Sequence, residues 1–520
     1  MILGIDFGTC FSAVAYMEGT TPVASRIGMG REEGIPSQFM YSAKEKKKLY
    51  GWDCNNMDAI EHPEWVIKHF KKEIMNDPGK LYTERESGGE KFTLAEIVEG
   101  FLEYLIDKAK AAVAGITNIS SDPEYITITS PVGSSVCSVA FYNGFLRDTI
   151  CKLTGLDKDH VFIVQEPVAA AFAFLDPTTQ GEKSALIFDL GGGTLDVTVV
   201  RERQDGRYDV VYSGGDSDLG GLKWDEKLAG VGLDYIYREW GKEEADRILS
   251  DRANKAYFDA FITGVKIQLS TFKKVTEYCE PIMDRIELDF EITTTREQFE
   301  KASRDLLERA MAVLGKVVDG VGGLSGIDDI VLVGGSSNMP QVIEAIRSRY
   351  PDFDSDHIRV SDPSKAIARG AAVYSKYRSE NKSVERARRT YAFKATKDGK
   401  GEILLYCVIY KYTEIGESGY IEHKVKLPFR PPTDESPSVT FTVYETEFDD
   451  DGDPWKPIVG KECSLQVDVP VPDEYLGKAT QFFMKPILRL DRDGVLEIII
   501  LDAQGNQLVT NKNNVTGGWS

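Results

Sequence analysis

One stretch of this chain, Ala185–Val200, combines residue types that could bind a phosphate and a metal. Its apolar start predicts a buried strand that ends at Asp189, and Val197–Val200 predicts a returning strand. Between the strands, Gly191–Gly193 allow backbone N–H groups to approach an anion, because glycine has no Cβ. A carboxylate at a strand end can hold hydrated Mg²⁺. The stretch predicts a phosphate loop, and the competing interpretation is a glycine-rich hairpin with solvated side chains.

A second copy of this pattern begins the chain. Ile2–Ile5 predicts a strand that ends at Asp6, Gly8 and Thr9 follow in a turn, and Ala13–Tyr16 predicts the returning strand. Two such hairpins predict two related halves that face each other across a nucleotide.

An acidic residue also stands at a third strand end. Val161–Val164 predicts a short strand, and Glu166 follows just before a helix whose first turn contains Pro167. This arrangement can hold a carboxylate over a site, although an ordinary helix start with a surface glutamate fits equally well. A further glycine-rich loop, Gly214–Gly221, precedes one predicted helix. Ile330–Gly335 predicts a buried strand that ends in two glycines, and the N-terminus of the helix after it favours an anion.

Composition limits the possible partners and the compartment. The net charge of −21 over 520 residues argues against nucleic acid and against an anionic membrane surface. Seven scattered cysteines without a C-x-x-C motif argue against a zinc site and favour a reducing compartment. The chain starts on its first strand, so no signal peptide is expected, and no apolar run is long enough to span a bilayer. We therefore expect a cytoplasmic protein.

The elements that must position these residues follow from apolar spacing. Helices are predicted over Glu64–Met75, with lysines on its outer face, and over Thr93–Ala114, where Thr93 and Glu96 form a capping-box pattern. After a charged run, short β segments replace helices and predict an all-β sandwich. The predicted division is an α/β domain over 1–378 with an inserted subdomain at about 222–310, a linker over 379–390, a β-sandwich over 391–510 and a tail over 511–520.

The ordered set of motifs resembles the seventy-kilodalton heat-shock chaperone family (DnaK-like), within the actin and sugar-kinase superfamily. The motifs that carry this resemblance are GIDFGT at 4–9, VQEPVAAAFAF at 164–174, IFDLGGGTLDV at 187–197, LGG at 219–221, VLVGGSSNMP at 331–340 and DPSKAIARGAAV at 362–373. The match covers about the first 375 residues and continues only weakly into the β region. It implies a two-lobed actin-like ATPase domain whose nucleotide state controls a sandwich that binds peptides.

The resemblance also implies a site. Catalytic roles fall on Lys68, Glu166, Asp189, Asp6 and Asp196, with Mg²⁺ held by Asp6 and Asp189 through water, and Asp196 ordering the attacking water or a monovalent cation such as K⁺. ATP or ADP contacts fall on Gly8, Thr9, Cys10, Gly191, Gly192, Gly193, Thr194, Gly220, Gly221, Lys266, Ser270, Gly334, Gly335 and Ser336. The expected partners are extended peptide segments or a specific protein, with co-chaperones.

The sequence departs from the family at several of these positions. Cys10 replaces a hydroxyl residue, Thr263 and Ile267 replace a glutamate and the arginine that stacks on adenine, and the linker is charged instead of leucine-rich. The residues after the sandwich do not predict a helical lid.

These observations favour an ATP-hydrolysing, chaperone-like protein. Two other functions stay open: a nucleotide-binding switch or scaffold without hydrolysis, and a small-molecule kinase of the same superfamily, which would leave the C-terminal sandwich unexplained.

Overall fold

The computed structural model describes 1–24, 34–116, 118–131, 139–174, 183–202, 208–281, 286–360, 365–380 and, of the C-terminal region, 390–396, 403–410, 413, 415, 420–425, 429–446, 448, 452–458, 463–475, 477–491 and 496–512. The chain forms two compact units. The first comprises Met1–Lys72, Leu81–Val132 and Val164–Glu380, and the second comprises Glu73–Lys80, Gly133–Ile163 and Asn381–Ser520. Most of the linker predicted over 379–390 and most of the tail predicted over 511–520 lie outside the described residues.

The elements up to residue 174 alternate short strands with helices. The strands are β1 (Ile2–Asp6), β2 (Phe11–Glu18), β3 (Thr21–Ala24), β4 (Ile35–Pro36), β5 (Gln38–Ser42), β6 (Lys47–Tyr50), β7 (Ile67–Lys68), β8 (Glu84–Ser87), β9 (Glu90–Thr93), β10 (Tyr125–Ser130) and β11 (Val161–Gln165). The helices are α1 (Met57–Glu61), α2 (Phe70–Asn76), α3 (Leu94–Val113), α4 (Val139–Thr154) and α5 (Glu166–Phe174).

The elements from residue 183 to residue 379 form the rest of the first unit. The strands are β12 (Lys183–Leu190), β13 (Leu195–Glu202), β14 (Tyr208–Asp216), β15 (Lys274–Cys279), β16 (Phe290–Thr295), β17 (Asp329–Val333) and β18 (Ile358–Val360). The helices are α6 (Gly221–Trp240), α7 (Lys242–Ser250), α8 (Arg252–Thr271), α9 (Arg296–Ala302), α10 (Arg304–Gly320), α11 (Pro340–Arg349) and α12 (Ala366–Ser379).

Two sheets of the first unit share one strand order. In the first sheet the order is β11-β10-β1-β2-β3, and β1 runs parallel to β10 and antiparallel to β2. In the second sheet the order is β18-β17-β12-β13-β14, and β12 runs parallel to β17 and antiparallel to β13. The repeat predicted from the two Asp-Gly hairpins is therefore present as a repeated supersecondary structure.

The prediction of a single helix over Glu64–Met75 is wrong. A 3₁₀ turn at Pro63–Trp65 is followed by β7, and α2 begins only at Phe70. His69 has a φ of 60°, in the left-handed region, and this residue separates β7 from α2. The apolar residues of β7 and α2 together have the spacing of one helix, which explains the wrong prediction. The interruption between β7 and α2 depends on the backbone conformation of His69, and apolar periodicity does not encode that conformation.

The helix predicted over Thr93–Ala114 is confirmed as α3. The Thr93 hydroxyl accepts a hydrogen bond from the Glu96 backbone, and the Glu96 carboxylate accepts one from the Thr93 N–H at 2.8 Å, which completes the capping box. In the region expected as an insert, 222–310, the described residues form most of α6, then α7, α8, the β15–β16 hairpin, α9 and the start of α10. Its buried Trp224, Phe258 and Phe299 join the hydrophobic cluster that includes Leu186 of β12, so the insert packs onto the second sheet.

The C-terminal part of the second unit is a sandwich of two antiparallel sheets. Its strands are β19 (Thr390–Thr396), β20 (Ile403–Ile409), β21 (Tyr420–Lys424), β22 (Ser438–Thr446), β23 (Trp455–Lys456), β24 (Cys463–Pro470), β25 (Lys485–Asp491), β26 (Leu496–Leu501) and β27 (Gln507–Lys512). The sheet orders are β23-β20-β19-β22-β24 and β21-β25-β26-β27. Phe393 and Phe441 of the first sheet share one buried cluster with Leu488 and Ile498 of the second. The β-rich architecture expected after the linker is therefore observed.

Candidate active site

The turns of the two repeated hairpins meet in the first unit. Strand pairing places Asp6 opposite Ala13 in one hairpin and Asp189 opposite Asp196 in the other. A Cβ built on Gly192 would lie 2.3 Å from Cys10 Sγ, and one built on Gly193 would lie 3.2 Å from Thr9 Cγ2. The turns are thus in close contact, and this approach is possible because the second turn carries glycines.

Two glycine-rich turns also pack on each other. The N–H of Gly221 donates to the Gly191 carbonyl at 2.9 Å, and the N–H of Leu222 donates to the Gly192 carbonyl at 2.8 Å. A Cβ on Gly220 would lie 2.4 Å from the Gly193 carbonyl carbon. The LGG motif therefore supports the glycine turn of the second hairpin from the start of α6.

Buried carboxyl groups gather beside the two turns. Burial, and then the neighbouring Glu166 charge, raise the pKa of Asp6 to about 7. The same two causes raise the pKa of Asp196 to about 7 and hold the pKa of Asp189 well above its usual range. Thr129 donates a hydrogen bond to Asp6 Oδ1 at 3.2 Å, and Thr194 donates one to Asp196 Oδ2 at 3.2 Å. Clustered carboxyls with raised pKa values are typical of sites that receive cations or ligands.

A buried lysine joins this cluster. Lys71 Nζ donates to Glu166 Oε1 at 2.6 Å and also to the Phe7 carbonyl oxygen. The Lys71 side chain is 6% exposed, and that of Glu166 is 12% exposed. Glu166 is the first residue of α5, as the strand–Glu–Pro pattern predicted. The ion pair thus links α2 to the start of α5.

Lys68, the predicted catalytic lysine, interacts electrostatically with the Cys10 thiol of the first hairpin turn. It lies in β7, where it pairs with Gln38 of β5, and its side chain is exposed. Lys72 is directed to the second hairpin: its Nζ lies 3.4 Å from the Gly193 carbonyl oxygen and 3.3 Å from Asp218 Oδ1. The lysine that reaches the carboxyl cluster is Lys71, which the sequence placed on a solvated helix face.

Two residues predicted to contact ATP or ADP, Lys266 and Ser336, lie near the start of α6. Lys266 Nζ forms an ion pair with Asp225 Oδ1 at 2.8 Å and donates to the Gly221 carbonyl at 3.0 Å. A Cβ on Gly221 would lie 2.3 Å from Ser336 Oγ, so these two predicted contacts are neighbours. Gly334 has a φ of 80°, which favours glycine.

Two departures from the family pattern and one predicted nucleotide contact, Ser270, also lie on α8. Ile267 is 46% exposed, so an apolar side chain occupies the position at which the family has its stacking arginine. Thr263 bonds to the Asp259 carbonyl at 3.0 Å, within the same helix. The Ser270 carbonyl accepts from Arg296 at 3.2 Å, which holds the end of α8.

Sequence reasoning did not identify Lys71, Thr129 and Asp225. Each is a polar residue in a helix or strand, and nothing in its neighbouring sequence distinguishes it from a polar residue on the surface. A hydrogen bond from a residue such as Thr129 to Asp6 joins positions 123 residues apart. No local pattern in the sequence could have indicated such a contact.

The donor set fits Mg²⁺ bound together with phosphates. The described residues contain no group of three or more His, Cys, Asp or Glu side chains arranged to hold a metal by themselves. Mg²⁺ at phosphate sites needs only one or two carboxylates, because phosphate oxygens and water complete its shell. Asp6 and Asp189, on the two hairpins, supply two such carboxylates.

Most of the chain is similar in sequence to known proteins. A family model described as Hsp70 protein matches residues 2–387. The chaperone protein DnaK of Mycoplasmoides gallisepticum is 29% identical over 383 residues, which are 72% of this chain and 59% of that protein. The aligned part therefore spans less than two thirds of the relative. Among the described helices, none has the length and apolar character needed to cross a membrane.

Proposed function

The chain belongs to the Hsp70 protein family, whose actin-like α/β lobes its first unit contains, and we propose that this unit binds ATP with Mg²⁺ and hydrolyses it slowly to ADP and phosphate. The observation that carries the proposal is the contact between the two hairpin turns, which brings Thr9 and Cys10 against Gly192 and Gly193 beside the buried carboxyls. A glycine-lined clamp of this kind suits the phosphates of a nucleotide.

Different residues of the chain would contribute different interactions to phosphoryl transfer. Backbone N–H groups of Thr9–Cys10 and Gly192–Thr194 would orient the phosphates, and Asp6 and Asp189 would hold Mg²⁺ through water. When bound, Mg²⁺ neutralises negative charge on the transferred phosphoryl group. Glu166, at the start of α5, would orient the attacking water, because its carboxylate is fixed by Lys71.

Removal of the Asp189 carboxylate tests this assignment. We expect Asp189→Asn to lower phosphate release from ATP by about 100-fold or more, as is typical when an electrostatic contact of the transition state is lost. Release is measured without any added acceptor. Asp107→Asn is the matched control, because Asp107 is an exposed residue of α3. Near-normal turnover of Asp189→Asn would contradict the proposal, and phosphorylation that requires a sugar or polyol would favour a kinase.

One observation favours a nucleotide switch without hydrolysis. The Glu166 carboxylate is held by the Lys71 ammonium at 2.6 Å, and an ion-paired carboxylate is a weaker partner for water. Tight binding of a fluorescent ADP analogue together with phosphate release no faster than in Asp189→Asn would support the switch.

We further propose that the sandwich of the second unit binds extended peptides or one protein partner under the control of nucleotide. The support is family membership together with the two-sheet architecture of 390–512. Binding of a fluorescent apolar peptide, measured by anisotropy with and without ATP, tests it. We expect the peptide affinity to change on addition of ATP, and peptide binding that ignores ATP would contradict nucleotide control.

A further inference from the structure

A closed ring of hydrogen bonds lies behind the turn of the first hairpin. The Ser37 hydroxyl donates to the Gly8 carbonyl oxygen at 2.8 Å, and the Gly8 N–H donates to Ser12 Oγ at 3.1 Å. The two serine oxygens lie 2.9 Å apart, which completes the ring. Ser12 is 1% exposed and Ser37 is 3% exposed, so water does not compete for these bonds. We call this arrangement of Gly8, Ser12 and Ser37 the serine ring.

The direction of each bond in the serine ring follows from the hydrogen atoms available. A serine hydroxyl has one hydrogen, and that of Ser37 is donated to the Gly8 carbonyl. In the contact between the two hydroxyls, Ser12 must therefore be the donor and Ser37 the acceptor. The Ser12 oxygen in turn accepts the Gly8 N–H. Every donor in the ring thus has an acceptor, and hydrogen bonds in such a chain strengthen one another.

The serine ring fixes the orientation of the peptide group between Gly8 and Thr9. In a trans peptide group the carbonyl of one residue and the N–H of the next point in opposite directions. Because the Gly8 carbonyl is directed to Ser37, the Thr9 N–H is directed away from both serines. The Ser37 N–H also donates to the Cys10 carbonyl at 2.8 Å. Ser37 therefore holds the turn on both sides of Thr9.

Backbone pairing places Ser37 beside the turn. Ser37 lies between β4 and β5, and Pro36 of β4 pairs with Phe11 of β2. The turn is also tight, since a Cβ built on Gly8 would lie 1.9 Å from the Phe11 carbonyl oxygen. Removal of the Ser37 hydroxyl should therefore open the serine ring and leave the Ser37 backbone in place.

We propose that Ser12 and Ser37 are positioning residues of the phosphate site, which direct the Thr9 N–H toward the phosphates of the nucleotide. The effect on nucleotide affinity rests on the proposed function, whereas the order of the turn in the nucleotide-free protein does not. A donor that is oriented before the ligand arrives requires no reordering on binding, and this raises affinity. Because the serine ring is closed, loss of either hydroxyl has the same consequence.

The test compares the full-length protein with Ser37→Ala, Ser12→Ala and Ser12→Ala/Ser37→Ala. The Kd for ADP with Mg²⁺ is measured by calorimetry, and the Tm is measured without nucleotide. Ser87→Ala is the matched control. Ser87 is a fully buried serine of β8 that donates to the Trp65 carbonyl and accepts from the Tyr41 N–H, both at 2.8 Å. Its removal takes away the same kinds of bond outside the site.

We expect Ser37→Ala and Ser12→Ala each to weaken ADP binding by about tenfold. The double variant should have about the same Kd, because one missing hydroxyl already opens the serine ring. Ser87→Ala should lower the Tm as the other single variants do, and it should bind ADP within about twofold of the wild type. Unchanged ADP binding in the single variants, or losses that add in the double variant, would overturn the proposal.

A conservative variant separates loss of the hydroxyl from loss of packing. Ser37→Thr keeps the hydroxyl, so it should bind ADP at least about threefold more tightly than Ser37→Ala. A Ser37→Thr variant that binds ADP no better than Ser37→Ala would count against the proposal. Ser12→Ala and Ser37→Thr test the same ring if Ser37→Ala does not fold.

Amide hydrogen exchange at Gly8, followed by NMR without nucleotide, tests the serine ring independently of nucleotide binding. The Gly8 amide should exchange at least about tenfold faster in Ser12→Ala and Ser37→Ala than in the wild type, and at the wild-type rate in Ser87→Ala. Equal exchange in all of these proteins would overturn the proposal. Absence of ADP binding to the wild type would refute the proposed function, and exchange at Gly8 would still decide whether the two serines order the turn.

Discussion

At the scale of single residues, burial and charge distinguish side chains that look alike in the sequence. Lys68, Lys71 and Lys72 lie within five positions, yet Lys71 is bonded to Glu166, Lys72 is directed to Gly193 and Asp218, and Lys68 is exposed. The family pattern predicted Lys68 for the phosphate, and that role stays a prediction. The carboxyls Asp6 and Asp189, in contrast, lie at the hairpin turns where the pattern predicted them.

Cys10 gives a prediction that depends on pH. Burial raises the pKa of the Cys10 thiol to about 11, so at pH 8 only about one molecule in 1,000 carries the reactive thiolate. We expect iodoacetamide to label Cys10 about 100-fold more slowly than a cysteine peptide of pKa near 9, with a rate that rises about tenfold per pH unit up to pH 10. Labelling is followed by mass spectrometry of the Cys10 peptide. Equal rates for Cys10 and the reference peptide at pH 8 would contradict the raised pKa.

At the scale of elements, the position of a helix in the sequence did not determine which unit it joins. α4 lies between β10 and β11 along the chain, inside the predicted 1–378 domain, but it belongs to the second unit and packs against β24 and β26. Arg147 of α4 is 7% exposed at its side chain and forms an ion pair with Asp491 of β25. These residues are 344 positions apart, and local patterns carry no information about such a pair.

The Arg147–Asp491 ion pair yields a stability prediction. Arg147→Ala should lower the free energy of unfolding of the second unit by about 1–3 kcal/mol, because the partly buried Asp491 carboxylate loses the charge of the Arg147 guanidinium. Asp491→Ala/Arg147→Ala should cost less than the sum of the single variants, since the lost interaction is shared. Urea unfolding measures the free energy of unfolding of the single variants and of the double variant.

A second ion pair on α4 provides the control for this measurement. Lys158→Ala should change the stability by less than about 1 kcal/mol, because the Lys158–Asp148 pair is about half exposed. Equal losses in the free energy of unfolding for Arg147→Ala and Lys158→Ala would show that burial of the Arg147–Asp491 pair does not increase its contribution to stability.

At the scale of the molecule, each unit has its own core. The second sheet of the first unit and the 222–310 region share one buried cluster, and the two sheets of the sandwich share another. The net charge of −21 belongs to the whole chain and is the basis for expecting no nucleic acid partner. Because the two sheets of the sandwich share one buried cluster, the stability of the sandwich should be sensitive to the loss of single apolar side chains from that cluster.

Leu488 tests the sandwich core. It is fully buried in β25 within the cluster that joins both sheets, so Leu488→Ala should cost about 2–5 kcal/mol through lost burial and the remaining cavity. Ile403→Ala is the control, because Ile403 is 51% exposed at the start of β20, and it should cost less than about 1 kcal/mol. Hydrogen exchange of the sandwich strands measures both. Equal protection in the two variants would show that Leu488 is not part of a cooperative core.

The sequence alone determined the two hairpins, their terminal aspartates, the Glu166 helix start, the capped helix α3 and the β-rich C-terminal region. All of these depend on local spacing, because strands, caps and glycine turns are set by residues a few positions apart. Only the tertiary structure decided that a lysine of α2 pairs with Glu166, that α4 joins the sandwich, and that Gly220 supports the Gly193 turn. Those contacts join distant positions, and they depend on backbone breaks such as His69 and on packing that no periodic pattern records.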